Sequence, residues 1–181
     1  MFFVGAYETI GGVHCYVATP QGDYPKDKVV LYLTDVLGIA LVNNRVCAFL
    51  RFGRPLIDIT ILQLIADTFA QNGFKTVMPD ILHNDPITEA NLKDPNWSFQ
   101  EWIPKHGPST WESTVDNVVA ALKDQGVTRI GTTGYCFGAP PAFYLAYKNE
   151  AHVTVVAHPS RIAEPEHFEV CAPLLEVFSW F

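Results

Sequence analysis

The chain has 181 residues, a length that suits one domain with a sizeable hydrophobic core, so we expect a single domain over residues 1–181. Hydrophobic residues make up 49% and charged residues 17%, a composition that excludes a disordered chain. The net charge of -7 argues against a nucleic-acid partner, and no run reaches the roughly 18 apolar residues of a membrane span.

The cysteines indicate a reducing compartment. The four cysteines are Cys15, Cys47, Cys136 and Cys171. They are widely scattered and form no C-x-x-C pair, which argues against both a zinc site and a disulfide scaffold. The start "MFFVGAYETIGG" has no basic region before a long apolar run, so no secretory signal is expected. We therefore expect a cytoplasmic protein. No pattern predicts an oligomeric state.

The first half of the chain predicts three strands and a helix. "VHCYVATP" over 13–20 alternates and ends in proline, which is typical of a strand. "VVLYLTD" over 29–35 and "FKTVMPD" over 74–80 are continuous apolar runs, the pattern of strands covered on both faces. Between them a helix is expected to run to about Asn72, with Gly73 as its C-cap.

A long irregular excursion is predicted over 81–108. It contains the turn-forming stretches "HNDP", "DPNW" and "KHGP". Connections of this length in compact domains are often lids or binding loops, and a plain surface insertion is the alternative. The sequence favours neither.

The second half alternates helices with strands. "STWESTVDNVVAALKDQG" over 109–126 predicts a helix with a capping box formed by Ser109 and Glu112. "CFGAPPAFYLAYKN" predicts another helix, whose first turn tolerates Pro140 and Pro141. Further strands are expected over 128–134, 153–158 and 173–180. The alternation predicts an α/β fold with a mostly parallel sheet and helices on both faces.

The stretch "GYCFG" carries the chemistry. Cys136 lies where a predicted strand meets a predicted helix, in the pattern G-x-C-x-G. A nucleophile elbow requires this context, because a sharp turn needs small neighbours such as Gly134 and Gly138. A helix N-terminus also favours a thiolate. The alternative is a buried cysteine in a glycine-rich bend.

"GYCFG", together with "LTDVLG" and "GFKTVMPDIL", resembles the dienelactone hydrolase family of α/β-hydrolases. The resemblance extends from about Ile10 to about Leu175. It implies a three-layer α/β-hydrolase fold and the hydrolysis of small-molecule esters or lactones by a Cys-His-Asp triad, with no metal and no organic cofactor. Most α/β-hydrolases carry serine at the nucleophile, so the cysteine makes the motif fairly specific.

The resemblance assigns roles to individual positions. Cys136 matches the nucleophile, and Asp35 matches a glutamate that interacts with the resting thiol. The backbone amides of Val36 and Phe137 match the oxyanion hole. General α/β-hydrolase geometry leads to the same two amides, because one comes from the residue after the nucleophile and the other from a loop after an early strand.

One departure concerns the substrate. The family places an arginine for a substrate carboxylate in the loop after Pro79 and Asp80, whereas this chain has His83 and Asn84 there as possible pocket residues. A carboxylated lactone is therefore not the expected substrate.

A second departure concerns the partners of the nucleophile. No aspartate follows Cys136, and the histidines that do are His152, His158 and His167. His158 closes a predicted strand near Cys136, but one strand too early for the family base, so we interpret it as a pocket or structural residue with a catalytic role as the alternative. The sequence ends in the apolar run "VFSWF", and by the resemblance we expect a fold that lacks its last strand and helix, together with both triad partners.

Residues 46–63, "VCAFLRFGRPLIDITILQ", interrupt the resemblance. One hypothesis is a retained intron in the gene sequence. The other is a genuine insertion that lengthens the following helix, since Thr60, Gln63, Asp67 and Gln71 would share one polar helical face.

Three functional hypotheses follow. The first is a hydrolase of small esters or lactones that acts through Cys136. The second is a catalytically inactive fragment or pseudoenzyme, because triad members act as a unit and two are absent. The third is a redox-responsive thiol at Cys136, since an accessible cysteine of low pKa oxidises readily.

Overall fold

The computed structural model describes residues 5–39, 61–161 and 174–177. Within them the chain forms a seven-stranded sheet in the order β1-β2-β4-β3-β5-β6-β7. The strands are β1 (Ala6–Ile10), β2 (Val13–Ala18), β3 (Lys28–Leu33), β4 (Lys75–Pro79), β5 (Arg129–Tyr135), β6 (Val153–Ala157) and β7 (Leu174–Val177).

The sheet is mixed but mostly parallel, as predicted. Strands β3 to β7 pair in parallel, whereas β1 pairs antiparallel with β2 and β2 antiparallel with β4. Every predicted strand is present, and β1 is an addition that the sequence reasoning missed. Its residues are largely exposed, so it lacks the apolar run that marks the central strands.

Helices cover both faces of the sheet. They are α1 (Ile61–Gln71), α2 (Glu89–Lys93), α3 (Phe99–Trp102), α4 (Pro108–Asp124) and α5 (Ala139–Tyr147), and a 3₁₀ turn (Ile103–His106) follows α3. Helix α1 contacts β2 and β4 over a small apolar cluster around Tyr16 and Tyr32. Helices α4 and α5 contact each other and a larger core around Leu31, Val115 and Phe143. The result is the predicted three-layer architecture.

The predicted insertion over 46–63 lies largely outside the described residues, as do Cys47 and Cys171. Its last three positions belong to α1, which ends as expected with Gly73 in a left-handed conformation at φ 89.

The predicted capping box of α4 is wrong. The helix begins at Pro108, and Gly107 is its N-cap without any side-chain hydrogen bond. Proline has the helical φ built in and no N–H to satisfy, so the N-cap and the helix start lie two residues earlier than expected. Ser109 then lies inside the first turn, where it cannot act as the N-cap.

The excursion over 81–108 is less irregular than predicted. It holds α2, α3 and the 3₁₀ turn. A capping box does start α2: the Asn91 N–H donates to Thr88 Oγ1 at 3.2 Å, and the Thr88 N–H donates to Asn91 Oδ1 at 2.8 Å. Trp102 and Ile87 are buried in the larger core, so the excursion is not a plain surface insertion.

The prediction that Asp67 lies on a polar helical face is also wrong, because Asp67 is buried. Asp67 is only 3% exposed, and its Oδ1 accepts hydrogen bonds from the Tyr16 hydroxyl at 2.8 Å and the Gly5 N–H at 3.1 Å. These bonds join α1 to β2 and to the chain before β1. Burial raises the pKa of the Asp67 carboxyl despite both donors, since a charged oxygen loses hydration there.

Replacement of Asp67 by asparagine should therefore change how stability depends on pH. A raised carboxyl pKa in the folded state stabilises the fold below the unfolded value of about 4, and this contribution is lost as the pH rises through the folded pKa. We expect the free energy of unfolding of the wild type, minus that of Asp67→Asn, to fall between pH 4 and pH 7.5 in urea titrations. Other carboxyl groups cancel in this difference, and a constant or rising difference would contradict the prediction.

Candidate active site

The chain turns sharply at Cys136. Strand β5 ends at Tyr135, a 3₁₀ turn covers Cys136–Gly138, and α5 begins at Ala139. The φ of Cys136 is 51, a left-handed conformation that costs a non-glycine residue strain energy and is concentrated at functional sites. Cys136 is half-buried. The predicted strand–turn–helix context is therefore present.

Both flanking glycines are needed for steric reasons. An ideal Cβ on Gly134 would lie 2.5 Å from the carbonyl oxygen of Gly138 and 2.9 Å from Ala142 Cβ. An ideal Cβ on Gly138 would lie 2.1 Å from the Leu33 carbonyl oxygen. Neither position accommodates a larger side chain unless the backbone shifts. Glycine at both positions therefore allows α5 to pack directly over the ends of β3 and β5.

The loop after β3 lies beside this turn. Leu33 pairs with Gly134 across the two parallel strands. Asp35 is buried, and it shapes the loop by accepting the Leu37 N–H on Oδ1 at 2.9 Å and the Gly38 N–H on its carbonyl at 3.2 Å. Val36, half-buried, lies in this turn and packs against the larger core, to which Phe137 also belongs.

His158 lies at the same edge of the sheet. Ala157 pairs with Tyr135, so the residue after each strand, His158 and Cys136, lies at the same level of the edge. The His158 ring is exposed and packs at 6.2 Å between centroids against Tyr135. Two residues further on, the Ser160 N–H donates to the Cys136 carbonyl at 3.2 Å. The segment after β6 thus lies against the Cys136 turn.

His83 and Asn84 line a different cleft of about 520 Å³, bounded by the β1–β2 turn and α4. The His83 Nε2 lies 3.1 Å from Thr114 Oγ1 and 3.3 Å from the Thr110 carbonyl. The lining includes neither Cys136 nor the two expected oxyanion residues. That His83 and Asn84 line the pocket of Cys136 stays a prediction.

Two aromatic residues of the excursion were missed as neighbours of the site. The Trp102 ring meets the Phe137 ring edge-on at 5.9 Å, and the His106 ring stacks on Trp102 at 3.9 Å. The sequence alone assigned no role to Trp102 or His106. Their spacing of four residues within one helical segment is the only sequence signal of this stacking.

The described part of the chain offers a second thiol in a different environment. Cys15 is fully buried in β2, and desolvation raises its thiol pKa to about 12. Its thiolate fraction near neutral pH is therefore very small, which makes Cys15 a poor nucleophile next to the half-buried Cys136.

Residues 5–39, 61–161 and 174–177 contain no group of three or more His, Cys, Asp and Glu side chains arranged to hold a metal ion. Within the same ranges, no helix has the length and apolar character needed to cross a membrane.

Comparison with known proteins decides the family. A model of the dienelactone hydrolase family matches residues 57–176, more than half of the chain. The chain belongs to the dienelactone hydrolase family. The resemblance inferred from "GYCFG" is thereby confirmed, and the match includes the last residues of the predicted insertion over 46–63. Members of this family act as carboxylic ester hydrolases.

Relatives of known name agree with this assignment. The chain is 30% identical over 171 residues to hydrolase pyvD of Aspergillus violaceofuscus and 27% identical over 177 residues to dienlactone hydrolase 1 of Gibberella moniliformis. Each alignment covers 94% of this chain, but only 61% and 60% of the relatives. The chain thus spans less than two thirds of their length.

Solved structures support the fold. An α/β serine hydrolase without lid from Xanthomonas campestris is 12% identical with a TM-score of 0.55, covering 98% of this chain and 72% of that chain. A dienelactone hydrolase-like promiscuous phosphotriesterase from metagenomic libraries is 13% identical with a TM-score of 0.56, covering 97% and 82%. The α/β-hydrolase fold expected from the sequence is confirmed.

Proposed function

We propose that this protein hydrolyses small esters or lactones through a covalent acyl-thioenzyme at Cys136. The observation that carries the proposal is the left-handed backbone of Cys136 at the end of β5, between two glycines that have no room for a side chain. Strain of this kind is retained where it serves function, because it holds the nucleophile clear of the backbone around it.

The reaction proceeds in two steps. The Cys136 thiolate attacks the carbonyl carbon of the substrate. The carbonyl oxygen becomes an oxyanion that accepts hydrogen bonds from the N–H groups of Val36 and Phe137. Collapse breaks the ester bond and leaves a thioester on Cys136, and the departing alkoxide takes up from solvent the proton that the thiol had released there on ionising. Water then hydrolyses the thioester to the acid and restores the thiol. Each oxyanion donor contributes about 3–4 kcal/mol in comparable enzymes.

Asp35 is proposed to interact with the resting thiol. It is buried at the end of β3, next to the turn that presents Cys136, and its carboxylate is oriented by the Leu37 N–H. These observations support the proposal, because a carboxylate oriented at the end of the neighbouring strand can hold the thiol before substrate arrives.

In a polypeptide of these 181 residues we expect hydrolysis of the thioester to be the slow step. No aspartate follows Cys136 in the sequence, although family chain order places the acid and then the histidine after the nucleophile. His158, at the adjacent strand end, is proposed as a pocket residue. We therefore expect acylation of Cys136 to be much faster than hydrolysis of the thioester.

The proposal is tested with p-nitrophenyl acetate. We expect one equivalent of p-nitrophenolate to be released rapidly, followed by a slow steady rate, and intact mass spectrometry should show one added acetyl group on the Cys136 peptide. Cys136→Ala is the control and should lose both signals. Acetylation that persists in Cys136→Ala, or an unlabelled Cys136 in the folded wild type, would refute the proposal.

A further inference from the structure

Three residues of the excursion form a closed set of contacts, which we call the latch: Asp85, Trp102 and His106. The Trp102 Nε1–H donates to the Asp85 carbonyl at 3.0 Å. The His106 Nδ1 lies 2.9 Å from the Trp102 carbonyl, and its Nε2 lies 3.3 Å from Asp85 Oδ2. The latch thereby ties the start of the excursion to its end.

The hydrogen bond to the Trp102 carbonyl orients the His106 ring. A carbonyl oxygen only accepts, so Nδ1 is the donor of this bond. His106 is almost fully buried, whereas the Asp85 side chain is largely exposed, so the contact between Nε2 and the Asp85 carboxylate contributes little. The latch is held mainly by the stacking of His106 on Trp102 and by the hydrogen bond from His106 Nδ1 to the Trp102 carbonyl.

The latch, through Trp102, and the chain just after Asp85 contact the segments expected to supply the two oxyanion amides. On one side the Trp102 ring supports the ring of Phe137, which is fully buried. On the other side the Ile87 N–H, two residues after Asp85, donates to the Val36 carbonyl at 2.9 Å.

We propose that the latch positions the amides of Val36 and Phe137, so that Asp85, Trp102 and His106 are positioning residues for the oxyanion hole. The inference rests on the proposed function. The two amides come from separate loops, after β3 and after β5, and no described strand pairing extends to them. The excursion supports both loops, through the ring contact of Trp102 with Phe137 and the hydrogen bond of Ile87 to Val36, and so contributes to their relative placement. Displacements of about 1 Å at such donors cost up to about a hundredfold in rate.

Two reactions of Cys136 separate positioning from general structural support. Acetylation by p-nitrophenyl acetate passes through an oxyanion, whereas alkylation by iodoacetamide displaces iodide at carbon and forms none. In His106→Ala we expect the acetylation rate of Cys136 to fall about tenfold or more, with its alkylation rate within twofold of the wild type. His106→Asn restores a donor at the Nδ1 position and should recover most of the loss.

Matched variants complete the design. Thr88→Ala removes the cap of α2 in the same excursion without touching the latch, and both of its rates should equal those of the wild type. Should His106→Ala fail to fold, Trp102→Phe, which removes the Nε1–H donated to the Asp85 carbonyl and keeps an aromatic ring, takes its place with a smaller loss of acetylation.

The outcomes are distinguishable. Equal acetylation rates in the wild type and all latch variants would overturn the proposed positioning role of the latch and leave the proposed function intact. Parallel loss of acetylation and alkylation in His106→Ala also overturns it, because that result reports general structure. A folded wild type that is alkylated but never acetylated at Cys136 refutes the proposed function itself.

Discussion

Replacement of Gly138 by alanine is expected to destabilise the protein by about 3 kcal/mol or more. The added Cβ would lie 2.1 Å from the Leu33 carbonyl oxygen and 2.7 Å from that of Thr34. Both are backbone atoms at the end of the central strand β3, so no side-chain rotation relieves the clash. Either α5 moves away from the sheet or β3 bends, and each movement disrupts contacts of the larger core.

Gly107→Ala provides the matched control. It adds the same methyl group at a negative φ of -84, and the nearest atom to its Cβ is the Pro104 carbonyl oxygen at 3.9 Å. As an N-cap change it should cost only a few tenths of a kcal/mol to about 1 kcal/mol. Thermal and urea unfolding of the two variants measure the difference, and a Gly138→Ala variant as stable as Gly107→Ala would contradict the packing described here.

Cys136→Ser is expected to lower the acetylation rate by about three orders of magnitude or more. A cysteine is a few per cent thiolate near neutral pH and reacts without full activation, whereas a serine hydroxyl depends on an aligned general base. No aspartate follows residue 136 to orient a histidine in the family's chain order. The substitution exchanges sulfur for oxygen at one position, so the fold should be unaffected.

Rapid-mixing measurements of p-nitrophenolate release, with intact mass spectrometry, quantify this loss. Far-ultraviolet circular dichroism and the unfolding midpoint, both matching the wild type, serve as the control for folding. A serine variant that keeps a tenth or more of the wild-type rate would contradict the expectation. It would indicate a general base within these 181 residues, and His158, beside Cys136, is the one that a further His158→Ala change would test.

Much of the fold could be predicted because its signals are local. Apolar runs such as "VVLYLTD" and "FKTVMPD" mark β3 and β4, because a strand covered on both faces has no polar side to show. Gly73 and Gly126 mark helix ends, because both adopt positive φ. The spacing of Gly134, Cys136 and Gly138 identified the elbow for the same reason: each restriction acts within a few residues.

Other features could not be predicted because their causes lie far apart in sequence. Asp67 looked like part of a solvated helix face, yet the Tyr16 hydroxyl 51 residues away makes it a buried acceptor. No local pattern marks His106, because Asp85, and the Phe137 ring that its stacking partner Trp102 contacts, come from other parts of the chain. The capping residue of α4 was misplaced for a local reason, the preference of Pro108 for the first helical position.

The amino-acid sequence by itself determined the α/β class, the family and the identity of the nucleophile candidate, since strand runs, helix ends and the G-x-C-x-G turn depend on short-range sterics. Only the tertiary structure decided what surrounds Cys136. It placed the loop after β3 against the turn, the segment after β6 beside it, and Trp102 behind Phe137. Such contacts join residues brought together by sheet order and helix packing, which depend on the sum of many apolar contacts and not on any one stretch of chain.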